Sequence, residues 1–177
     1  DLPLKGAGVR VVDALDFLAA TAEGPGSYAG VRSVIVAGGG NTAMDAVRAA
    51  SRLPGIREVR LSYRRTVSEM PADREERENA LAEAAAVNAA SAGAAVKPAP
   101  ALLELTLPEA AAPGRLTLRR MTLGERDASG RRSPLPSGDT LETACDLLVA
   151  AVGEVPARAY LEGLGIAVGK DGRPRAD

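Results

Sequence analysis

Ser33-Val-Ile-Val-Ala-Gly-Gly-Gly-Asn-Thr-Ala-Met-Asp-Ala-Val-Arg-Ala-Ala50 holds the pattern on which the fold turns. Ser33 to Ala37 is a short, unbroken apolar run, as expected of a strand with both faces buried in a parallel sheet. Three glycines follow it. From Thr42 to Leu53 an alanine-rich pattern predicts a helix, stopped by Pro54-Gly55. Gly38, Gly40 and Ala43 match G-x-G-x-x-A, with Gly39, Asn41 and Thr42 between them. Each position has a physical reason. Gly38 permits a tight turn out of the strand, Gly40 lets a pyrophosphate approach the backbone, and Ala43 lets the helix pack closely on the sheet. The amides at the helix start then face an anion, assisted by the helix dipole.

Outward from this unit, Glu58 to Tyr63 alternates like a second strand, which closes a βαβ pattern. In an NAD site an acid at the tip of that strand would bond the ribose 2′-hydroxyl. This tip instead reads Tyr63-Arg64-Arg65-Thr66. Two guanidinium groups suit a 2′-phosphate, which points to NADPH. The plainer reading of such a pair is solvated surface charge.

The rest of the chain extends the alternation. Val9 to Ala20 has helical spacing, with Asp13 as its cap, and Glu23 to Gly30 reads as a loop. Pro71 to Gly93 predicts a long helix with acids in its first turns. A third strand is expected within Ala94 to Leu103. Leu103 to Leu107 and Arg115 to Leu123 alternate like antiparallel strands, Gly124 to Gly138 reads as a polar hairpin or loop, and Asp146 to Val152 as a last buried strand. The expected class is α/β, a Rossmann-like parallel sheet flanked by helices with a three-stranded antiparallel β-meander. The divisions are 1–30, a leading helix and loop; 31–93, the βαβα dinucleotide-binding unit; 94–145, the third strand and meander; and 146–177, the return strand and tail. Residues 1–177 then form a single NAD(P)H-binding domain, read as a fragment excised from a larger flavoprotein.

Composition narrows the chemistry. The 177 residues carry a net charge of -1, which leaves no nucleic-acid footprint. No apolar run approaches the roughly 20 residues that span a bilayer. Histidine is absent and Cys145 is the single cysteine, so disulfides, Ser-His or Cys-His pairs and cysteine-rich metal sites are excluded. One thiol suits a reducing, cytoplasmic setting. Chemistry would have to come from a bound cofactor. Cys145 reads as a packed thiol, Asp45 as a helix acid complementing the dipole, and Arg119-Arg120 and Arg131-Arg132 as solvated or facing another domain. Tyr160 has Leu164 where a short-chain dehydrogenase places its lysine, which removes that reading.

GGGNTAMDAVRAA, YRRTVSEMPA, LTLRRMTLGERDASGRRSPLPSG and DLLVAAVGEVP together resemble the glutamate synthase small-subunit-like oxidoreductases of the pyridine nucleotide-disulfide oxidoreductase superfamily. The group includes iron-sulfur subunits of the selenate reductase type, with dihydropyrimidine dehydrogenase as a relative. The similarity runs from about Asp13 to near the C-terminus. Ala84 to Pro100 departs from the group's pattern, since it is nearly all alanine where the group has a bulkier apolar strand.

The resemblance implies a parent with an FAD domain and an inserted NADPH domain, of which this chain is the second. Hydride would pass from NADPH to FAD, and electrons would leave through iron-sulfur clusters to an accepting subunit. Gly38, Gly39, Gly40, Asn41, Thr42 and Ala43 would hold the pyrophosphate, and Arg64 and Arg65 the 2′-phosphate. Ala151 to Pro156 matches the group's return strand near the nicotinamide, with Gly153 and Glu154 at that end. Glu154 reads equally as a contact to the nicotinamide ribose or amide and as a plain loop acid. No second glycine fingerprint and no cysteine cluster is present, so the chain is expected to bind NADPH without turning it over alone. The alternative is a non-catalytic NADP(H)-sensing module.

Overall fold

A computed structural model describes residues 2, 4–80, 82, 101–126, 130–153 and 167–169. Strand β1 is Lys5–Gly6 and β2 is Arg10–Asp13; helix α1 is Ala14–Glu23; β3 is Ser33–Gly38; α2 is Asn41–Arg52; β4 is Glu58–Tyr63. Residues 74–80 are helical and form α3. Then follow β5 (Ala101–Glu104), β6 (Thr106–Ala112), β7 (Arg115–Arg126), β8 (Arg132–Ala144) and β9 (Leu147–Ala151). Five strands form a parallel sheet in the order β2-β9-β3-β4-β5, and four form a second sheet in the order β1-β6-β7-β8. In the second, β6, β7 and β8 are antiparallel, as the expected meander requires.

The unbroken apolar runs are explained by burial on two sides. Val34 and Val36 of β3, with Leu147 and Val149 of β9, point into a core shared with Phe17 of α1 and the small face of α2. Ile35, Ala37 and Leu148 point the other way, onto Leu116 and Leu118 of the meander. Among the described residues, then, helices cover one face of the parallel sheet and the meander covers the other. Ala43, Ala46 and Ala50 are fully buried, and their lack of bulk lets α2 lie close on the sheet.

Two boundaries differ from the sequence reading. The expected helix over Val9–Ala20 is a strand through Asp13. The β-branched residues of this run favour extended backbone, and β2 pairs in parallel with the edge of β9. Asp13 does cap α1, its carboxylate accepting the Leu15 N–H at 2.8 Å. Segment 1–30 therefore holds two strands besides its helix and loop. Leu103–Leu107 is not one strand, because Leu105 takes a left-handed φ of 52° and divides β5 from β6. Gly124–Gly138 belongs to the β7–β8 hairpin, the first of the two readings given for it: Leu123 pairs with Pro134 and Arg126 with Arg132. Its prolines are accommodated because β8 lies at the sheet edge, where a missing donor is tolerated. Of the expected third strand, the described part is Ala101–Glu104, and residues 94–100 lie outside the described residues, as does the helix beyond Ala82.

Asp146 ends the meander and fastens the central strands. Its Oδ2 accepts the Arg32 N–H, the Ser33 N–H and the Ser33 hydroxyl, each at 2.9 Å. Burial would raise its pKa, but these three donors hold the carboxyl below the ordinary carboxylate range. Neighbouring Cys145 is fully buried, and burial pushes its thiol up to about 12. It is a packed, protonated thiol, as expected.

Candidate dinucleotide site

A cleft of about 710 Å³ opens at the carboxyl ends of β2, β9, β3 and β4. Its size lies in the ordinary range for ligand sites. It sits where the order of the parallel sheet reverses, since β4 lies on one side of β3 and β9 on the other. Open α/β sheets bind ligands at that crevice.

The three glycines have separate jobs. A Cβ on Gly38 would fall 2.3 Å from the Ala151 carbonyl oxygen, so this glycine lets β3 and β9 meet at full register to their ends. A Cβ on Gly39 would fall 2.4 Å from the ring of Tyr63. That ring is pinned, its hydroxyl donating to the Glu69 carbonyl at 2.9 Å. Beside Gly40 a Cβ would meet nothing within 4 Å. Gly40 is the N-cap of α2, which no side chain caps. The first helical bonds are donated by Ala43 and Met44 to the Gly40 carbonyl, at 3.0 and 3.3 Å. The earlier amides, those of Asn41 and Thr42, precede this internal bonding and stand at the helix start. Thr42 is exposed and lines the cleft, and Ala43 is fully buried beneath it.

Asn41 does something the motif does not announce. Its side chain donates to Asp73 Oδ2 at 3.1 Å and accepts the Asp73 N–H at 3.0 Å. Next to it the Ala72 N–H donates to the Gly39 carbonyl at 2.9 Å. Met70 and Ala72 are buried. The Glu69-Met-Pro-Ala-Asp73 stretch is thus the buttress of the glycine turn, held from β4 by Tyr63 and from α2 by Asn41.

The arginine pair at the tip of β4 is split. Arg64 is exposed and lines the cleft. Arg65 also lines it but is only 9% exposed, and its Nε donates to the Arg132 carbonyl at 2.8 Å. Arg132 in turn donates from Nε to Glu69 Oε1 at 3.0 Å. Glu69 also accepts the Thr66 hydroxyl at 3.0 Å. Burial pushes the Glu69 pKa up, but the bonds from Arg132 and Thr66 outweigh it and leave the carboxyl below its ordinary value. Arg132 is therefore a half-exposed strut tied to Arg65 and Glu69, and Arg131 lines the cleft. Arg119 likewise pairs with Glu109. The sequence missed Arg131 because its place depends on a long-range contact between the meander and β4. Asp45 is exposed and pairs with Arg48 at 3.7 Å, away from the glycine turn.

At the other end, Ala151, Val152 and Gly153 line the cleft beside Gly38. Glu154, Val155, Pro156 and Tyr160 lie outside the described residues. Among the described residues no helix is long and apolar enough to cross a membrane.

The architecture is of the Rossmann-like class. The oxidoreductase FprA of Mycobacterium tuberculosis, whose structure revealed a covalent modification of NADP+, shares the fold at a TM-score of 0.64 and 19% identity, over 89% of this chain and 49% of that one. No protein-family model matches the chain. Sequence relatives are more specific. The candidate oxidoreductase YgfK of Escherichia coli O157:H7 is 38% identical over 98% of this chain and 15% of its own length. The NADP(+)-dependent formate dehydrogenase subunit beta of Moorella thermoacetica is 40% identical over 81% of this chain and 19% of its own length. A candidate glutamate synthase [NADPH] small chain of Cereibacter sphaeroides is 34% identical over 88% of this chain and 37% of its own length. The chain is thus similar to one segment of each of these longer proteins, and it spans 15% to 37% of their length.

Proposed function

We propose that this chain is the NADPH-binding domain of an FAD-dependent oxidoreductase. The single observation that carries the reading is the order of features along one cleft. Arginines lie at the β4 end, an uncapped helix start with open space at Gly40 lies in the middle, and the small residues Ala151 and Gly153 lie at the β9 end. That order fits the 2′-phosphate, the pyrophosphate and the nicotinamide half of one NADPH.

Gly40, Asn41 and Thr42 present amides to the pyrophosphate, while Gly38, Gly39 and Ala43 keep the turn in place. Arg64 and Arg65 take the 2′-phosphate. Gly153 lines the nicotinamide end, and Glu154, the next residue in sequence, would contact the nicotinamide half. When bound, NADPH supplies a hydride. The acceptor would be FAD on another part of the same parent chain, with electrons leaving through iron-sulfur clusters to an accepting subunit in the cytoplasm. The chain spans 15% of the length of its YgfK relative, and a parent of that length has room for those parts. Residues 1–177 would then be one domain of a larger flavoprotein, inactive alone. The oxidoreductase names of the relatives favour this over a sensing module.

Calorimetric titration with NADPH and NADH tests it. The expected result is tighter binding of NADPH, reduced about tenfold in Arg64→Ala with NADH unaffected. Arg64 is the cleaner variant, because Arg65→Ala would also remove the bond to Arg132. Failure of the native chain to bind either dinucleotide would overturn the reading.

A further inference from the structure

We propose that Asn41 and Asp73 are positioning residues for the pyrophosphate: their side chains clasp each other and so hold the start of α2 in the shape that receives the ligand. The inference rests on the reading above, that this cleft takes NADPH. Its starting point is the direction of one carboxamide. Asn41 is the first residue of α2, and the glycine motif alone suggests that its side chain meets the phosphates.

The carboxamide is turned onto Asp73 instead. Its oxygen accepts the Asp73 N–H at 3.0 Å, and its nitrogen donates to Asp73 Oδ2 at 3.1 Å. The two partners fix which end of the amide is which, because a backbone N–H only donates and a carboxylate only accepts. A third bond runs alongside, from the Ala72 N–H to the Gly39 carbonyl at 2.9 Å. Residues 72 and 73 therefore hold the chain on both sides of Gly40, at Gly39 and at Asn41.

Gly40 needs that bracket. No side chain caps α2 there, and glycine has the widest choice of backbone conformations. With the bracket in place, the amides of Asn41 and Thr42 are aimed before the ligand arrives. Without it, they must be ordered on binding, and that cost is subtracted from affinity. The anchor itself is firm. Met70 and Ala72 are buried, and the Asp73 carbonyl accepts the Arg77 N–H at 3.0 Å as α3 begins. Arg48 and Glu76 bridge α2 and α3 at 3.5 Å, a second tie that does not pass through the turn. Removing the clasp should then loosen the turn without undoing the fold.

The test is titration of the chain with NADPH, NADH and adenosine 2′-phosphate, which carries the 2′-phosphate but no pyrophosphate. The native chain is compared with Asn41→Ala, Asp73→Ala and Asp73→Asn, with a denaturant midpoint for each. Asn41→Ala should weaken NADPH and NADH by the same factor, about tenfold, and leave adenosine 2′-phosphate within about twofold of native. Asp73→Ala and Asp73→Asn remove the same charge, but only asparagine keeps an acceptor for the Asn41 amide. Asp73→Asn should therefore bind both dinucleotides about threefold tighter than Asp73→Ala. Unchanged dinucleotide affinity in Asn41→Ala would overturn this proposal and leave the function reading standing. Equal weakening of adenosine 2′-phosphate would also overturn it, since the substitution would then act on the whole cleft. So would equal affinity of the two Asp73 variants, since the side-chain bond would then carry nothing. A native chain that binds neither dinucleotide removes the function reading, and this proposal falls with it.

Discussion

The two ends of the cleft on either side of β4 are built by opposite means. The glycine turn is defined by backbone and by missing side chains: Gly38 and Gly39 are filled against Ala151 and Tyr63, and Gly40 is left open. The arginine end is defined by side chains from separate segments, joined through the Arg65–Arg132–Glu69 chain of bonds. The first is local and rigid. The second is assembled, and it holds only while carboxylates and guanidiniums stay charged. A backbone site should therefore fail by steric insertion, and an assembled site by loss of charge.

Substitutions within the glycine turn should separate fold from ligand. Gly38→Val drives a side chain into the Ala151 backbone and should cost about 3 kcal/mol, read as a lower denaturant midpoint. Gly40→Asp enters open space at an N-cap position that favours aspartate, so stability should hold or rise by up to about 1 kcal/mol. Its carboxylate would face the phosphates, and affinity for both dinucleotides should drop about a hundredfold. Equal stability loss in the two variants would erase the distinction drawn here.

At the assembled end the expected effects are smaller and depend on pH. Glu69→Gln should lower stability and weaken NADPH more than NADH. Both Glu69 and Asp146 have folded pKa values below their unfolded ones. Their stabilisation is full above the unfolded value of about 4 and drains away as pH falls through the folded value. Glu69→Gln should therefore flatten the acid limb of the stability profile below about pH 4; an unaltered limb would show that the clamp carries no net charge effect. Smallest of all, Cys145 should ignore thiol reagents at neutral pH until the chain unfolds.

This contrast also explains what could be read from sequence. The β3–glycine–α2 unit was legible because each residue there answers to its immediate neighbours: apolar run, turn glycine, small helix face. The meander was anticipated as a class, but its edges were not. Pro134 and Pro136 look like loop residues unless one knows that β8 has a partner on one side only. Likewise Val9–Asp13 has helical spacing, and only the edge of β9, more than 130 positions away, makes it a strand. The pairing of Arg132 with the β4 tip left no local trace at all, since nothing in RRT or GRR specifies that Arg65 will meet the carbonyl of Arg132.

The position of β9 has a consequence for biosynthesis. It lies between β2 and β3, yet it is the last strand of the parallel sheet to leave the ribosome. Until Leu147–Ala151 emerges, β2 has no neighbour to pair with and Asp146 has not arrived to fasten Arg32 and Ser33. Strand β2 must wait while about 130 residues are made, on the order of ten seconds at ordinary rates of synthesis. Closing so long a loop places the final sheet late in folding, so the nascent chain can hold a β3–α2–β4 unit well before it holds a finished cleft.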